Sequence, residues 1–377
     1  MTSRRAFLAS TTAAGLAIGL APLGAIASQR KAKPMRLLIL GGTGFLGPHI
    51  VRTATDRGHE MTLFNRGKTN PHLFPNIEKL EGNRDPDKDA GLSALRGRDW
   101  DAVIDTSGYV PRIVDASASL LADHAGHYTF ISSISVYDGF AKLGISEDDP
   151  VGTIEDETVE QVTGVTYGPL KALCEQAAEK AMPGRTISIR PGLIVGPGDP
   201  TDRFTYWPVR VSKGGEVLAP GTPGDPLQQI DARDLAAFVI HSIEQRTTGA
   251  YNAVCPAESN SMGKTLDACK AESGSHATFT WVPADFLEAQ GVSAWGDLPN
   301  WSPTTGDLAG INQVDVERAI AKGLTIRPIA ETIRDTLEWT REWDDERRNA
   351  FGNGREPGLS PAREQAVLAA WKEQEGG

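Results

Sequence analysis

Tyr167 and Lys171 stand one helical turn apart in Tyr167-Gly168-Pro169-Leu170-Lys171, at the start of a stretch that reads as a helix to about Ala181. That spacing sets both side chains on one helix face. An ammonium beside a phenol lowers the phenol's pKa, so the pair predicts a phenolate base near neutrality. Upstream, an apolar run closes in Ser132-Ser133-Ile134-Ser135-Val136-Tyr137. A serine hydroxyl there can hydrogen-bond the same substrate oxygen as the phenol. Proton transfer at a hydroxyl-bearing carbon is the chemistry this set suits. Y-x-x-x-K alone is common and carries no such meaning; it gains it only from what precedes it in the chain.

What precedes it is a nucleotide-binding arrangement. Leu37 to Leu40 is an unbroken apolar run, the pattern of a strand buried on both faces. Gly41, Gly44 and Gly47 follow, with Phe45 and Leu46 among them, and Pro48 to Arg57 reads as a helix with Gly58 past its end. Glycines between strand and helix let a backbone approach a pyrophosphate, and the helix N-terminus offers free N–H groups. Further strands are expected at Glu60 to Asn65, Ile77 to Leu80, Trp100 to Asp105 and His127 to Ile131, with a helix over Ile113 to His124. Such alternation predicts a doubly wound α/β parallel sheet, a Rossmann arrangement. The second strand ends in Asn65-Arg66-Gly67-Lys68, with no carboxylate to select a ribose 2′-hydroxyl and two cations for a 2′-phosphate. NADP is therefore preferred over NAD, with solvated loop charges as the competing reading. Asn83 and Arg84 fall where an adenine edge is met, though a polar turn explains Asn83 equally. Thr106 and Ser107, after the fourth strand, suit a wall against a cofactor, and Tyr109 follows on the substrate side.

The ordered motifs GGTGFLG, FISSISVY, YGPLK and IRPGLIVGPGD span roughly residues 35 to 255 and resemble the extended short-chain dehydrogenase/reductases, the NAD-dependent epimerase/dehydratase family. The resemblance implies that Tyr167 is the base, that Lys171 tunes it and holds the nicotinamide ribose, that Ser133 takes the serine/threonine position, and that Arg190-Pro191-Gly192 lies beside the nicotinamide. Ser135 is a substrate-side candidate. Two departures stand out: Asn65 replaces the usual acidic residue, and an acidic insertion, Ser146 to Thr163, widens the serine–tyrosine spacing. The Ile134-Ser135 pair, where the sugar dehydratases carry Asp-Glu, counts against dehydration. Val195 to Asp234 is similar to a subgroup that includes chloroplast stem-loop-binding and isoflavone-reductase-like proteins. Asp199, Arg203, Tyr206 and Trp207 fall where that family's substrate domain begins. Asp231-Ala232-Arg233-Asp234 is expected to cap a helix over Leu235 to Glu244.

The domain reading is a dinucleotide domain over 35–195 and 230–255 and a smaller substrate domain over 196–229 and 256–377. Trp281, Phe286, Trp295 and Trp301 read as packing anchors before sugar-stacking faces. Glu331 to Arg347 reads as one amphipathic helix, and Ser360-Pro361 starts the last one. Residues 1–27 read as a cleaved twin-arginine signal, with Ser3-Arg4-Arg5-Ala6-Phe7-Leu8 as the motif and Ala25-Ile26-Ala27 as the cleavage site. The segment is short and glycine-broken for a stable membrane span. Partners expected are therefore the export machinery and a small-molecule substrate, in the periplasm; homodimerisation stays open. Three cysteines make no disulfide framework, and the histidines show no metal spacing, His124 and His127 reading as surface residues. Net charge is −11, and −13 without residues 1–27, which argues against generic nucleic-acid binding.

Two enzyme readings follow. The first is epimerase-like: reversible hydride transfer at a carbinol carbon of a sugar-like or polyhydroxylated substrate, with the cofactor retained because free NADPH is not supplied outside the cytoplasm. The second is an NADPH-dependent ketone or aldehyde reductase. A nucleic-acid-binding protein on the same fold is the third reading.

Overall fold

Leu37 to Leu40 have no exposed surface, and their strand, β1 (Arg36–Leu40), lies inside a parallel sheet. The computed structural model describes residues 33–351 and 357–376; the twin-arginine motif and its cleavage site lie outside them. Next in the chain come α1 (Leu46–Asp56), β2 (Glu60–Asn65), β3 (Glu78–Glu81), β4 (Ala102–Asp105), α2 (Pro111–Leu121), β5 (Tyr128–Ile131), α3 (Tyr167–Ala181), β6 (Thr186–Pro191) and β7 (Leu193–Val195). The carboxyl side adds α4 (Tyr206–Ser212), β8 (Glu216–Pro220), β9 (Gln229–Asp231), α5 (Ala232–Glu244), β10 (Gly249–Ala253), α6 (Met262–Ser273), β11 (Thr278–Val282) and α7 (Ala284–Ala289). Four more helices follow: α8 (Glu317–Ala321), α9 (Ile329–Thr340), α10 (Asp345–Ala350) and α11 (Pro361–Glu375).

The main sheet has seven strands in the order β10-β6-β5-β4-β1-β2-β3, every pair parallel. Strand order reverses at β1, and ligands of such sheets lie outside the carboxyl ends at that reversal. Register places Leu40 level with both Phe64 and Asp105, so the turns after β1, β2 and β4 open onto one crevice. The period-2 alternation of β1 divides the core. Leu37 and Ile39 pack with Ile50, Val51, Leu235 and Val239 of α1 and α5. Leu38 and Leu40 pack with Val114 and Leu121 of α2 and with Cys174 and Ala178 of α3. A separate core, around Phe204, Trp207, Val217, Leu266 and Trp301, gathers the segments read as the substrate domain. Ala319 and Leu324 depart from that reading: they pack on the α1/α5 face of the main sheet.

Several elements differ from expectation. Helix α1 begins at Leu46, not Pro48, because Gly47 packs so closely that a Cβ there would lie 2.6 Å from the Gly42 backbone. Pro48 is tolerated in the first turn, where its N–H would have had no helical partner. The helix expected over Glu331 to Arg347 is two helices. The chain breaks after Thr340, turns Trp343 into the core, and restarts where Asp344 accepts from Arg347 N at 2.7 Å. His127 is not at the surface; it is buried and bonded to the Thr247 carbonyl at 2.8 Å, whereas His124 is exposed beside Asp99. Asp231 and Ser360 cap their helices as read, although α5 starts at Ala232. Among the described residues no helix is long and apolar enough to cross a membrane.

Candidate active site

The glycine turn forms the floor of the crevice. Gly41 and Gly42 have φ of +126° and +96°, a region that penalises side chains. A Cβ on Gly41 would also lie 2.5 Å from Thr106 Oγ1, and that hydroxyl donates to the Leu40 carbonyl at 3.1 Å. Gly44 faces open space, with nothing near the position a Cβ would take. Phe45, half-buried with its ring edge-on to His49, precedes an α1 N-terminus that no side chain caps. The turn thus presents uncapped N–H groups over a glycine-floored opening, which fits a pyrophosphate. Asn65 braces it, donating to the Gly41 carbonyl at 3.2 Å and accepting from Gly67 N at 2.8 Å. Arg66 and Lys68 are exposed, with no ion-pair partner among the described residues, so both charges are free for a 2′-phosphate.

Other expected cofactor contacts have different partners. Asn83 is committed to its own turn, donating to Asp89 at 2.8 Å and accepting from Asp85 N. Arg84 forms a bidentate pair with the fully buried Asp105, both contacts at 2.6 Å, and Tyr128 donates to the same carboxylate at 2.8 Å. Burial raises the Asp105 carboxyl's pKa, but Arg84 holds it below the ordinary value. This buried pair was not foreseen from the sequence. Its signal is a lone carboxylate closing the apolar run Ala102 to Asp105. Ser107 lies beside the pair, accepting from Arg84 at 3.3 Å, and Pro191 is buried at the end of β6. Arg190 is not open to a cofactor either: it is buried against Glu175 and the Tyr137 hydroxyl.

The proton-transfer group assembles at the adjacent strand end. Ser133, nearly buried, caps a short turn over Ile134–Val136, where its Oγ accepts from Ser135 N and donates to Ser135 Oγ, both at 3.1 Å. Helix α3 opens directly against this turn: a Cβ on Gly168 would lie 2.0 Å from the Ser135 carbonyl oxygen. The close approach brings Tyr167 to Ser133. Burial pushes the Tyr167 phenol's pKa above its ordinary value, against the Ser133 hydrogen bond and the Arg203 charge, which lower it. The lowering of the phenol expected from Lys171 comes from Ser133 and Arg203. Lys171 Nζ donates instead to the carbonyls of Gly108 and Ile131 at 2.8 and 2.6 Å, and it lies 4.2 Å from the Phe130 ring centroid. Burial lowers the Lys171 pKa to about 8.

Tyr109 is exposed at the mouth, its ring 6.3 Å from that of Tyr167. A groove of about 590 Å³, lined in part by Ser135, Tyr137, Phe140, Val162 and Pro169, opens beside Tyr167, with the insertion as one wall. Tyr206 and Trp207 do not face a ligand opening at this site: both are core residues, and Trp207 Nε1 donates to the Pro299 carbonyl at 2.7 Å. Phe286 and Trp301 are likewise core, with Trp281 and Trp295 packed against them.

Comparison with known proteins agrees with this geometry. The NAD dependent epimerase/dehydratase family matches residues 37–254. Epimerase family protein SDR39U1 of Bos taurus is 26% identical over 271 residues, covering 68% of this chain and 86% of that protein. The chloroplast stem-loop binding protein of 41 kDa b of Arabidopsis thaliana is 29% identical over 228 residues, 55% of this chain and 54% of that relative. Among solved structures, the Bordetella bronchiseptica enzyme WbmH, in complex with NAD+, has a TM-score of 0.62 at 16% identity, covering 82% of this chain and 99% of its own. Human SDR39U1 isoform 2, solved with NADPH, has a TM-score of 0.54 at 21% identity, covering 81% and 99%. These likenesses agree on the doubly wound fold.

Proposed function

The chain belongs to the NAD dependent epimerase/dehydratase family, whose members are NAD(P)-dependent oxidoreductases and epimerases; on that premise we propose that it catalyses reversible hydride transfer at a carbinol carbon of a polyhydroxylated substrate, with NADP retained through the cycle. The observation that supports this most directly is the convergence of Ser133, Tyr167 and Lys171 on the crevice floored by Gly41 to Gly47. The glycine turn and the α1 N-terminus would hold the pyrophosphate, and Arg66 and Lys68 a 2′-phosphate. Two of the three Lys171 donors are taken by carbonyls, which leaves one for a ribose hydroxyl. When bound, the cofactor supplies the hydride acceptor and donor.

The chain's own residues handle the proton. In the oxidative half Tyr167 takes the carbinol hydroxyl proton, and in the reductive half it gives that proton back to the same oxygen. Ser133, fixed by Ser135 N–H, bonds the same oxygen and holds it at the phenol. The redox-neutral reading draws on the twin-arginine motif, since an exported enzyme has no evident supply of NADPH. The reductase reading stands second, and two observations favour it: the raised Tyr167 pKa suits proton donation, and the free Arg66 and Lys68 suit NADP.

The test uses dialysed full-length protein and a panel of aldoses and uronic acids. The expected result is epimer interconversion without added nucleotide, lost by about 10²-fold or more in Tyr167→Phe with cofactor binding intact. Activity that requires stoichiometric NADPH would put the reductase first. Substantial activity in Tyr167→Phe would assign the proton to another group.

A further inference from the structure

The turn from Asp199 to Arg203 is built to present one guanidinium. Asp199 is 1% exposed, and its Oδ1 accepts from both the N–H and the hydroxyl of Thr201, at 2.8 and 2.7 Å. The Thr201 hydroxyl in turn accepts from Arg203 Nε at 3.1 Å. Asp199 Oδ2, buried, has no hydrogen-bond partner among the described residues. The next residue in the turn, Asp202, has φ of +51°, a left-handed conformation costly for a side-chain-bearing residue. Arg347 holds it there through contacts of 2.9 and 3.1 Å to the Asp202 carboxylate. Arg347 is itself braced over the Trp343 and Trp339 rings, at 4.3 and 4.8 Å from their centroids.

All this fixes the Nε edge of Arg203 and leaves its two Nη groups without a hydrogen bond or carboxylate partner among the described residues. The turn starts at the cofactor crevice, where the position of a Gly198 Cβ is 3.9 Å from the Phe45 ring. It ends within electrostatic reach of the Tyr167 phenol, whose pKa the Arg203 charge lowers. A half-buried guanidinium with its fork free, on a turn that starts at the cofactor crevice, is a receptor for a planar anion.

We propose that Arg203 reads a single negative charge on the substrate, the carboxylate of a hydroxy acid or a uronic-acid-type sugar. This rests on the function proposed above and narrows its substrate class. The charge count selects the carboxylate over a phosphate. One guanidinium, with Asp199 behind it and a chain of net charge −11 around it, matches one negative charge. The second charge of a phosphate monoester would be left unmatched. A pyrophosphate would ask for more, and the nearby Arg347, Arg84 and Arg190 are already paired with carboxylates.

The test is calorimetric titration of the NADP-loaded full chain with matched probes: glucuronate against glucose, lactate against isopropanol, and glucose 6-phosphate. The wild type is expected to bind at least one acid about 10- to 100-fold more tightly than its neutral partner, the range for a hydrogen bond to a charged group. Arg203→Gln should erase that gap and leave the neutral probes unchanged. Arg203→Lys should retain part of it, because charge survives without the fork. The proposal is overturned if neither acid is preferred, if the preference survives Arg203→Gln, or if glucose 6-phosphate binds more tightly than glucuronate. Acid binding without turnover in the wild type would defeat the hydride-transfer reading and leave this one standing.

Discussion

Lys171 shows how burial and partners divide the work of one side chain. Its ammonium is held by two carbonyls, yet burial outweighs them and brings its pKa from 10.5 to about 8. The folded pKa is lower than the unfolded one, so between about pH 8 and 10.5 the unfolded chain binds the extra proton and stability from this group rises with pH. Below about pH 8 the full cost of burying the charge is present. The shift corresponds to at most roughly 3 kcal/mol. Urea unfolding of the cofactor-free protein across that window is expected to show this gain in the wild type relative to Lys171→Met. Tyr128 and Cys174, whose pKa values burial raises, push the other way and are common to both proteins. Parallel pH profiles for the two would contradict the assignment. The identity of Lys171 as a site residue was legible from its spacing to Tyr167. Its partners were not, because Gly108 and Ile131 lie 63 and 40 residues away and only the folded sheet brings their carbonyls to Nζ.

At the level of elements, the approach of α3 to the Ser133–Val136 turn decides where the phenol stands. No side chain caps α3, and its first turn lies directly on the Ser135 backbone because Gly168 has no Cβ. Gly168→Ala would place a methyl against a backbone oxygen that has no rotamer to move. The helix start must shift, and a misplacement of about 1 Å costs on the order of 10²-fold in rate. Stability should fall by about 1–3 kcal/mol, the cost of overpacking. The measurement is kcat alongside NADP affinity: kcat should collapse while affinity stays near wild type. An unchanged kcat would show that α3 is free to slide. The first five strands of the sheet and the start of α3 could be read from apolar runs and the motif itself, whereas β6 and β10 were not. The start of α1 could not, because Gly47 continues the helix only through its contact with Gly42. The break after Thr340 escaped for a similar reason: Trp343 suits a continuous amphipathic face, but the carboxyl-side core draws it inward and Asp344 restarts the chain. Tyr206 and Trp207 were misplaced because an aromatic pair at the opening of a substrate domain looks the same whether it faces ligand or core.

At the scale of the whole molecule, charge and cofactor retention belong to one argument. A chain of net charge −11 offers little to a phosphate backbone, so the anion chemistry proposed for it rests on built positions: the α1 N-terminus, Arg66 with Lys68, and Arg203. The twin-arginine motif supports a proposal that the protein leaves the cytoplasm already folded, with its nucleotide in place. A nucleotide that dissociated readily would be lost on the far side. Retention asks for a dissociation constant well below micromolar, a binding free energy beyond about −8 kcal/mol. The glycine turn is the weak point of that arrangement. Gly47→Ala would set a Cβ 2.6 Å from the Gly42 backbone and open the cradle. Three full-length proteins test the proposal: wild type, Gly47→Ala, and a variant with Arg4→Lys and Arg5→Lys. The wild type is expected in the periplasm with close to one NADP per chain after dialysis, read by mass spectrometry. The double-lysine variant should stay in the cytoplasm with its nucleotide bound, because the residues proposed to hold the nucleotide are unchanged. Gly47→Ala should lose nucleotide wherever it is found. Periplasmic wild type that is folded, active and empty would separate export from cofactor loading and remove the case for a retained nucleotide.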